Sequence, residues 1–91
     1  MSSHKEYLDF VLDNAPYLTF RKMMGEYLLY YDKKLVGGVY DDRLLVKNIP
    51  AARDYLKNPA LETPYDGAKP MILIEDVENR EMLKVLFDIL K

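Results

Sequence analysis

Carboxylates are the side chains best placed to do chemistry in this chain, and they gather at Glu75, Asp76 and Glu78 and again at Asp41-Asp42. The first group has the residue types for metal binding or acid–base work, but acidic residues are equally favoured where a helix begins, because the positive end of its dipole lies there. The second would need further ligands to hold a cation, whereas aspartate marks turns by hydrogen-bonding nearby backbone. Both groups read as structural. Nucleophilic chemistry has no better footing: Ser2, Ser3 and His4 stand together at the N-terminus, no G-x-S-x-G elbow presents a serine, and the chain has no cysteine. A lone histidine falls short of a zinc site, which takes several converging ligands. Gly25, Gly37 and Gly38 interrupt strand-like patterns instead of leading into a helix, so no phosphate-cradling loop is present. No catalytic residue, metal ligand or cofactor is assigned.

Binding is better represented than catalysis. The chain has eight tyrosines, a residue that joins apolar area to a polar tip and is enriched at interaction surfaces. Tyr27 and Tyr31 alternate onto one strand face with Leu29, while Leu28 and Tyr30 take the other, so a one-sided core cannot accept them all. Tyr27, Tyr30, Tyr31, Tyr40 and Tyr65, with Arg21, Lys22 and Arg43, are the candidate interaction or ligand surface. Arg21, Lys22, Lys33 and Lys34 would bind nucleic acid only if the fold brought them to one surface. The net charge of -2 supplies no general attraction to DNA or to an anionic membrane, so direct nucleic-acid binding is not expected.

These residues need elements to position them. Ser3 and Glu6 have the spacing of a capping box, which predicts a helix start there, and Tyr7, Leu8, Phe10, Val11 and Leu12 form its apolar stripe as far as Asp13 or Asn14, before Pro16. From Leu18 the pattern turns extended. Gly25, isolated in a strand-like stretch, predicts a bulge or kink; Asp32-Lys33-Lys34 and Asp41-Asp42 predict turns of an antiparallel meander. Gly37-Gly38 weakens its strand by roughly 1 kcal/mol per residue but leaves room for close packing, by a helix or by a ligand. Asn48 is placed to cap a second helix that has Pro50 in its first turn and ends near Asn58. Pro59 to Pro70 is too rich in breakers for a helix and reads as a surface loop. Met71 to Ile74 reads as a buried strand, and Asp76 as the cap of a last helix with Met82, Leu83, Leu86, Ile89 and Leu90 along one side.

The predicted fold class is α+β, two-layer, with an antiparallel sheet of about five strands and helices packed on it, in the order α-β-β-β-α-β-α. A short extra strand is allowed in the loop after the second helix. Ninety-one residues, 49% of them hydrophobic, suit one domain spanning 1–91 with a single core. No apolar run is long enough to span a bilayer and Met1 to Lys5 lacks the features of a secretion signal, so no membrane association and a cytoplasmic location are expected.

Arg21-Lys22-Met23-Met24-Gly25, then Leu29-Tyr30, then Asp41-Asp42-Arg43-Leu44 and Val46-Lys47 resemble the N-terminal domain of the TfoX/Sxy competence regulators, whose pattern runs roughly R-K-M-F-G-G-Y-G-L-Y, a turn, a strand, then D-D-R-L-Y-L-K. The resemblance extends from about Thr19 to Leu90. Met24 stands where phenylalanine is usual, Glu26 where a second glycine is usual, and Lys33-Lys34 where the turn usually carries Asp-Gly. The family's fuller members add a C-terminal helical domain, so this chain resembles a stand-alone N-terminal domain. The resemblance implies a helix-on-sheet fold and a non-enzymatic regulatory module that engages a protein partner. A homodimer formed through the sheet, with Tyr30 and Tyr40 as the preferred contributors, is a further expectation. The alternative is a small-molecule-binding or enzymatic domain using a cleft between the sheet and the Pro59 to Pro70 loop, with Arg21, Arg43, Tyr30 or Tyr65 as polar contacts.

Overall fold

The computed structural model describes residues 2–91. Four strands follow one another as a meander, β1 (Thr19–Met23), β2 (Glu26–Tyr31), β3 (Lys34–Tyr40) and β4 (Arg43–Val46). Each neighbouring pair is closed by a two-residue turn. All three turns carry positive φ at both central positions: Met24 and Gly25, Asp32 and Lys33, Asp41 and Asp42. That is the geometry whose twist matches the twist of paired strands. Aspartate tolerates it well and Gly25 adopts it without a Cβ penalty, while Met24 bears the usual cost of a non-glycine residue there.

Gly25 therefore closes a hairpin instead of forming the bulge predicted for it. Its φ is +83° and Ser2 Oγ lies 2.8 Å from where a Cβ would stand. Gly25→Val is expected to destabilise the domain by about 1–3 kcal/mol, because a branched residue resists positive φ. Chemical denaturation checks this, and Gly25→Asn should avoid part of the loss, because asparagine tolerates positive φ better than a branched residue does. The bulge itself lies in β3, where Leu29 pairs with Gly37 and Tyr30 with Leu35. Val36 is the extra residue, and it enters the core.

After β4 come α2 (Pro50–Leu56), the two-residue β5 (Leu61–Glu62), β6 (Met71–Ile74) and α3 (Arg80–Leu90); α1 (Lys5–Asn14) precedes the meander. β5 is the allowed short extra strand, and β6 inserts between it and β4. The sheet thus has six antiparallel strands in the order β1-β2-β3-β4-β6-β5. One face supplies Tyr27, Leu29, Tyr31, Val39, Leu44, Val46, Ile72 and Ile74 to a single core. Leu8 and Val11 of α1, Ala52 of α2, and Leu83, Leu86, Phe87 and Leu90 of α3 close that core. All three helices lie on this face.

Three caps differ from expectation. His4, not Ser3, precedes α1, and no side chain caps it; the Ser3 hydroxyl is bound instead to Glu26 and to the amide of Asp42. Ile49 precedes α2, again uncapped by a side chain, since Asn48 accepts from Arg53 Nη1 and donates to the Pro70 carbonyl. Asn79, not Asp76, caps α3 by accepting from the Met82 amide at 3.1 Å. In each case a tertiary partner or a nearer side chain displaced the local choice.

Gly37 and Gly38 leave room for neither helix nor ligand. A Cβ on Gly37 would stand 2.4 Å from the Leu45 carbonyl oxygen and 2.9 Å from Val46 Cα, both on the neighbouring strand. A Cβ on Gly38 would meet the ring of Tyr40 at 2.6 Å.

Candidate functional site

The helix-free face is the candidate site, because no helix covers it and its residues converge on a cleft. β2 contributes Glu26 and Leu28, the first hairpin turn Met23 and Met24, the third hairpin turn Tyr40, Asp41 and Arg43, and the loop after β5 Thr63 to Asp66. Together they line an open cleft of about 770 Å³, within the usual size of ligand and peptide sites. Gly38 makes this arrangement possible, since its missing side chain is the space into which the Tyr40 ring folds.

Arg43 builds the far wall. Its Nη1 donates to Glu62 Oε1 at 2.6 Å and to the Thr63 carbonyl, Nη2 donates to the Pro64 carbonyl, and Nε to the Tyr40 carbonyl. Five donors in a rigid fork suit this pinning of a loop to a strand. Pro64 is buried beneath the loop, and Leu45, which points to the helix-free side, is wholly shielded. Arg43 thus holds the loop in place with four of its five N–H groups.

Glu26 organises the opposite end. Its Oε1 accepts from the Ser3 hydroxyl at 2.7 Å and its Oε2 from the Asp41 amide at 3.1 Å. The Ser3 amide donates to the Gly25 carbonyl and the Asp42 amide to Ser3 Oγ. The His4 amide and Nδ1 both meet the Asp42 carboxylate, at 2.7 and 2.6 Å. Residues Ser2 to His4 form a strap that ties the first hairpin turn to the third beside the cleft.

Hydrogen bonding to Asp42, then its charge, raises the His4 imidazole above its ordinary 6.5, while the His4 side-chain and backbone donors lower Asp42 below 3.8. The raised histidine contributes stability that is complete below 6.5 and is lost as pH rises through its folded value. The lowered aspartate contributes stability present above 3.8 and lost as pH falls through its folded value. The strap is accordingly expected to be tightest between those limits. Amide hydrogen exchange checks this: protection of the Asp42 amide should decline as pH rises past the His4 midpoint, and Asp42→Asn should return that midpoint to near 6.5.

On the cleft side, burial first, and then the neighbouring Tyr65, Glu26 and Tyr30, push the Tyr40 hydroxyl upward, so it stays protonated. Neither Tyr40 nor Tyr65 spends its hydroxyl on a hydrogen bond among the described residues, and Tyr65 is 66% exposed.

The predicted surface residues divide. Tyr40, Arg43 and Tyr65 come together at the cleft. Tyr30 lies on the same helix-free face one alternation beyond the cleft residue Leu28, and Arg21 stands across from Leu28 on the edge strand; neither lines the cleft itself. Lys22 falls on the opposite face of the edge strand β1, and Lys33 sits in the second turn, so the four basic residues do not share one surface. Tyr27 and Tyr31 are 6% and 7% exposed and belong to the core, which corrects their assignment to an interaction surface. Tyr27 meets Phe20 edge-on with centroids 5.8 Å apart. The Tyr31 hydroxyl donates to Asp88 and accepts from Lys84, and Lys91 lies 4.6 Å above its ring. Tyr17 stacks beside it; its hydroxyl is shielded without a partner among the described residues, and burial pushes it up to about 12. Sequence reasoning missed Met23, Met24, Glu26, Leu28, Asp41 and Asp66 as cleft residues. The one signal for them was Glu26 in a position where the resembled family has glycine.

Among the described residues no group of three or more His, Cys, Asp or Glu side chains is placed to hold a metal ion. Nor is any helix among the described residues long and apolar enough to cross a membrane.

The sequence pattern of the TfoX N-terminal domain matches residues 11–84. A Spirochaeta aurantia protein described as an uncharacterized 12.7 kDa protein in the trpE 5' region is 42% identical over 80 residues, which is 85% of this chain and 70% of that protein. No solved structure matches. The match spans the meander, α2, β6 and the first turn of α3, and on that extent the chain belongs to the TfoX N-terminal domain family.

Proposed function

We propose that the domain is a non-enzymatic regulatory module that works by presenting its helix-free sheet face to another protein. The observation that carries this reading is the one-sided coverage of the sheet. All three helices close one core, and the other face keeps Met23, Met24 and Tyr65 exposed around a preformed cleft. Exposed apolar groups gathered around a concave surface mark interaction sites, because water gains when they are covered. Membership of a family that resembles competence regulators supports the regulatory role. A small-molecule use of the same cleft would have one Arg43 N–H to draw on, since the other four are engaged by Glu62, Thr63, Pro64 and Tyr40.

Capture from a lysate of the native cell tests the reading when three forms are compared. The natural domain and Val85→Lys, altered on the helix side, should retain the same protein. Met24→Asp combined with Tyr65→Ala should lose it. Equal retention by all three forms would remove the helix-free face from the proposal.

A further inference from the structure

The cleft is acidic as well as apolar. Asp41 and Asp66 line it, and neither carboxylate enters an ion pair among the described residues. Glu26 adds a third carboxylate, engaged only with neutral donors. The single cation in the lining is Arg43, already neutralised by Glu62. The rings of Tyr40 and Tyr65 and the thioethers of Met23 and Met24 supply the remainder of the surface.

We infer that the cleft receives a basic side chain flanked by apolar residues on a partner polypeptide. The inference rests on the protein-interaction reading above and names the chemistry of its partner. A guanidinium or ammonium group gains from carboxylates that have no other counter-ion and from the negative faces of aromatic rings. Flanking apolar residues cover Met23 and Met24, of which Met24 is 94% exposed; unbranched methionines adapt to the shapes that meet them. A free small cation would satisfy the carboxylates but leave both methionines in water. An acidic or phosphorylated segment would meet like charge, which disfavours it both in approach and once bound.

The test uses two acetylated, amidated peptides, one alternating leucine with arginine and one alternating leucine with glutamate, titrated into the whole chain and followed by backbone amide NMR. Shifts should centre on Met23, Met24, Leu28 and Tyr65, with the glutamate peptide weaker by about tenfold or more. Asp41→Asn with Asp66→Asn should weaken the arginine peptide by about three- to tenfold and flatten its salt dependence. Asparagine tolerates the positive φ of position 41, so this variant keeps the fold, and unchanged amide shifts elsewhere in the domain verify that.

Equal affinity for the two peptides, or a double variant that binds like the natural protein, overturns the inference. So does butylguanidinium binding as tightly as the arginine peptide, which would make the occupant a small molecule. A natural chain that sediments as a dimer and becomes monomeric on Arg21→Ala would make the occupant a second copy, and overturns it too. Failure here is separable from failure of the proposed function. A captured partner whose bound segment lacks a basic residue refutes only this inference, whereas arginine-selective binding without any retained partner refutes only the regulatory reading.

Discussion

Replacing Phe87 by alanine is expected to destabilise the domain by about 3–5 kcal/mol, the range for removing a fully buried aromatic side chain. Phe87 is wholly shielded, sits midway along α3 between Leu83 and Leu90 in the core, and meets Tyr17 nearly edge-on at 6.2 Å between centroids. The loss combines the transfer of its ring to water in the unfolded state with a cavity that Leu86 and Leu83 cannot fill from a fixed helix backbone. A domain of this length holds roughly 5–14 kcal/mol in all, so the change removes a large part of it. Urea denaturation should show the midpoint falling by roughly 2–4 M. Val85→Ala on the exposed side of the same helix should move it little. A Phe87→Ala midpoint near that of the natural protein would mean that α3 packs on the sheet through a different face.

Gly37→Ala is expected to have the next largest effect, about 3 kcal/mol, at the upper end of overpacking penalties. The added methyl group would stand 2.4 Å from the Leu45 carbonyl oxygen and 2.9 Å from Val46 Cα. Both contacts are backbone, so no side-chain rotation relieves them; β3 must move away from β4 and lengthen the pairs Gly37–Val46 and Gly38–Leu45. Those strands stand at the centre of the sheet, and the strain reaches the bulge at Val36. Denaturation measures the loss, and hydrogen exchange should find it concentrated at the β3–β4 ladder. Gly38→Ala makes a useful contrast. Its new methyl would strike the Tyr40 ring at 2.6 Å and the Tyr27 carbonyl oxygen at 2.8 Å, so part of the clash can be relieved by swinging the ring into the cleft. That variant should alter the amide spectrum around the cleft.

Much of the fold was legible in the sequence, and the candidate site was legible only in part. The order of helices and strands follows from hydrophobic period and from Gly, Pro and Asp, whose effects are local. The three tyrosine and arginine contributors at the cleft were picked out by type, but the bonds by which Arg43 pins the loop were not foreseen. An arginine in a sequence does not announce whether its donors are free. Here Glu62 and the carbonyls of Thr63 and Pro64 take three of the five, and those groups arrive from the other side of α2.

The sequence by itself determined the layers, the antiparallel meander and the family, because alternation and turn chemistry act over a few residues at a time. It also determined that Tyr27 and Tyr31 share a face with Leu29. Only the tertiary structure decided which face the helices cover, and with it that Tyr27 and Tyr31 are core while Tyr30 and Tyr40 lie on the other side. It likewise placed the bulge at Val36, turned Ser3 away from the helix it precedes toward Glu26 and Asp42, and brought Asp41 and Asp66 to one cleft with Tyr65. These outcomes join residues far apart in the chain. Their free energies come from burial and from hydrogen bonds that exist only once the sheet has closed, and no local preference encodes them.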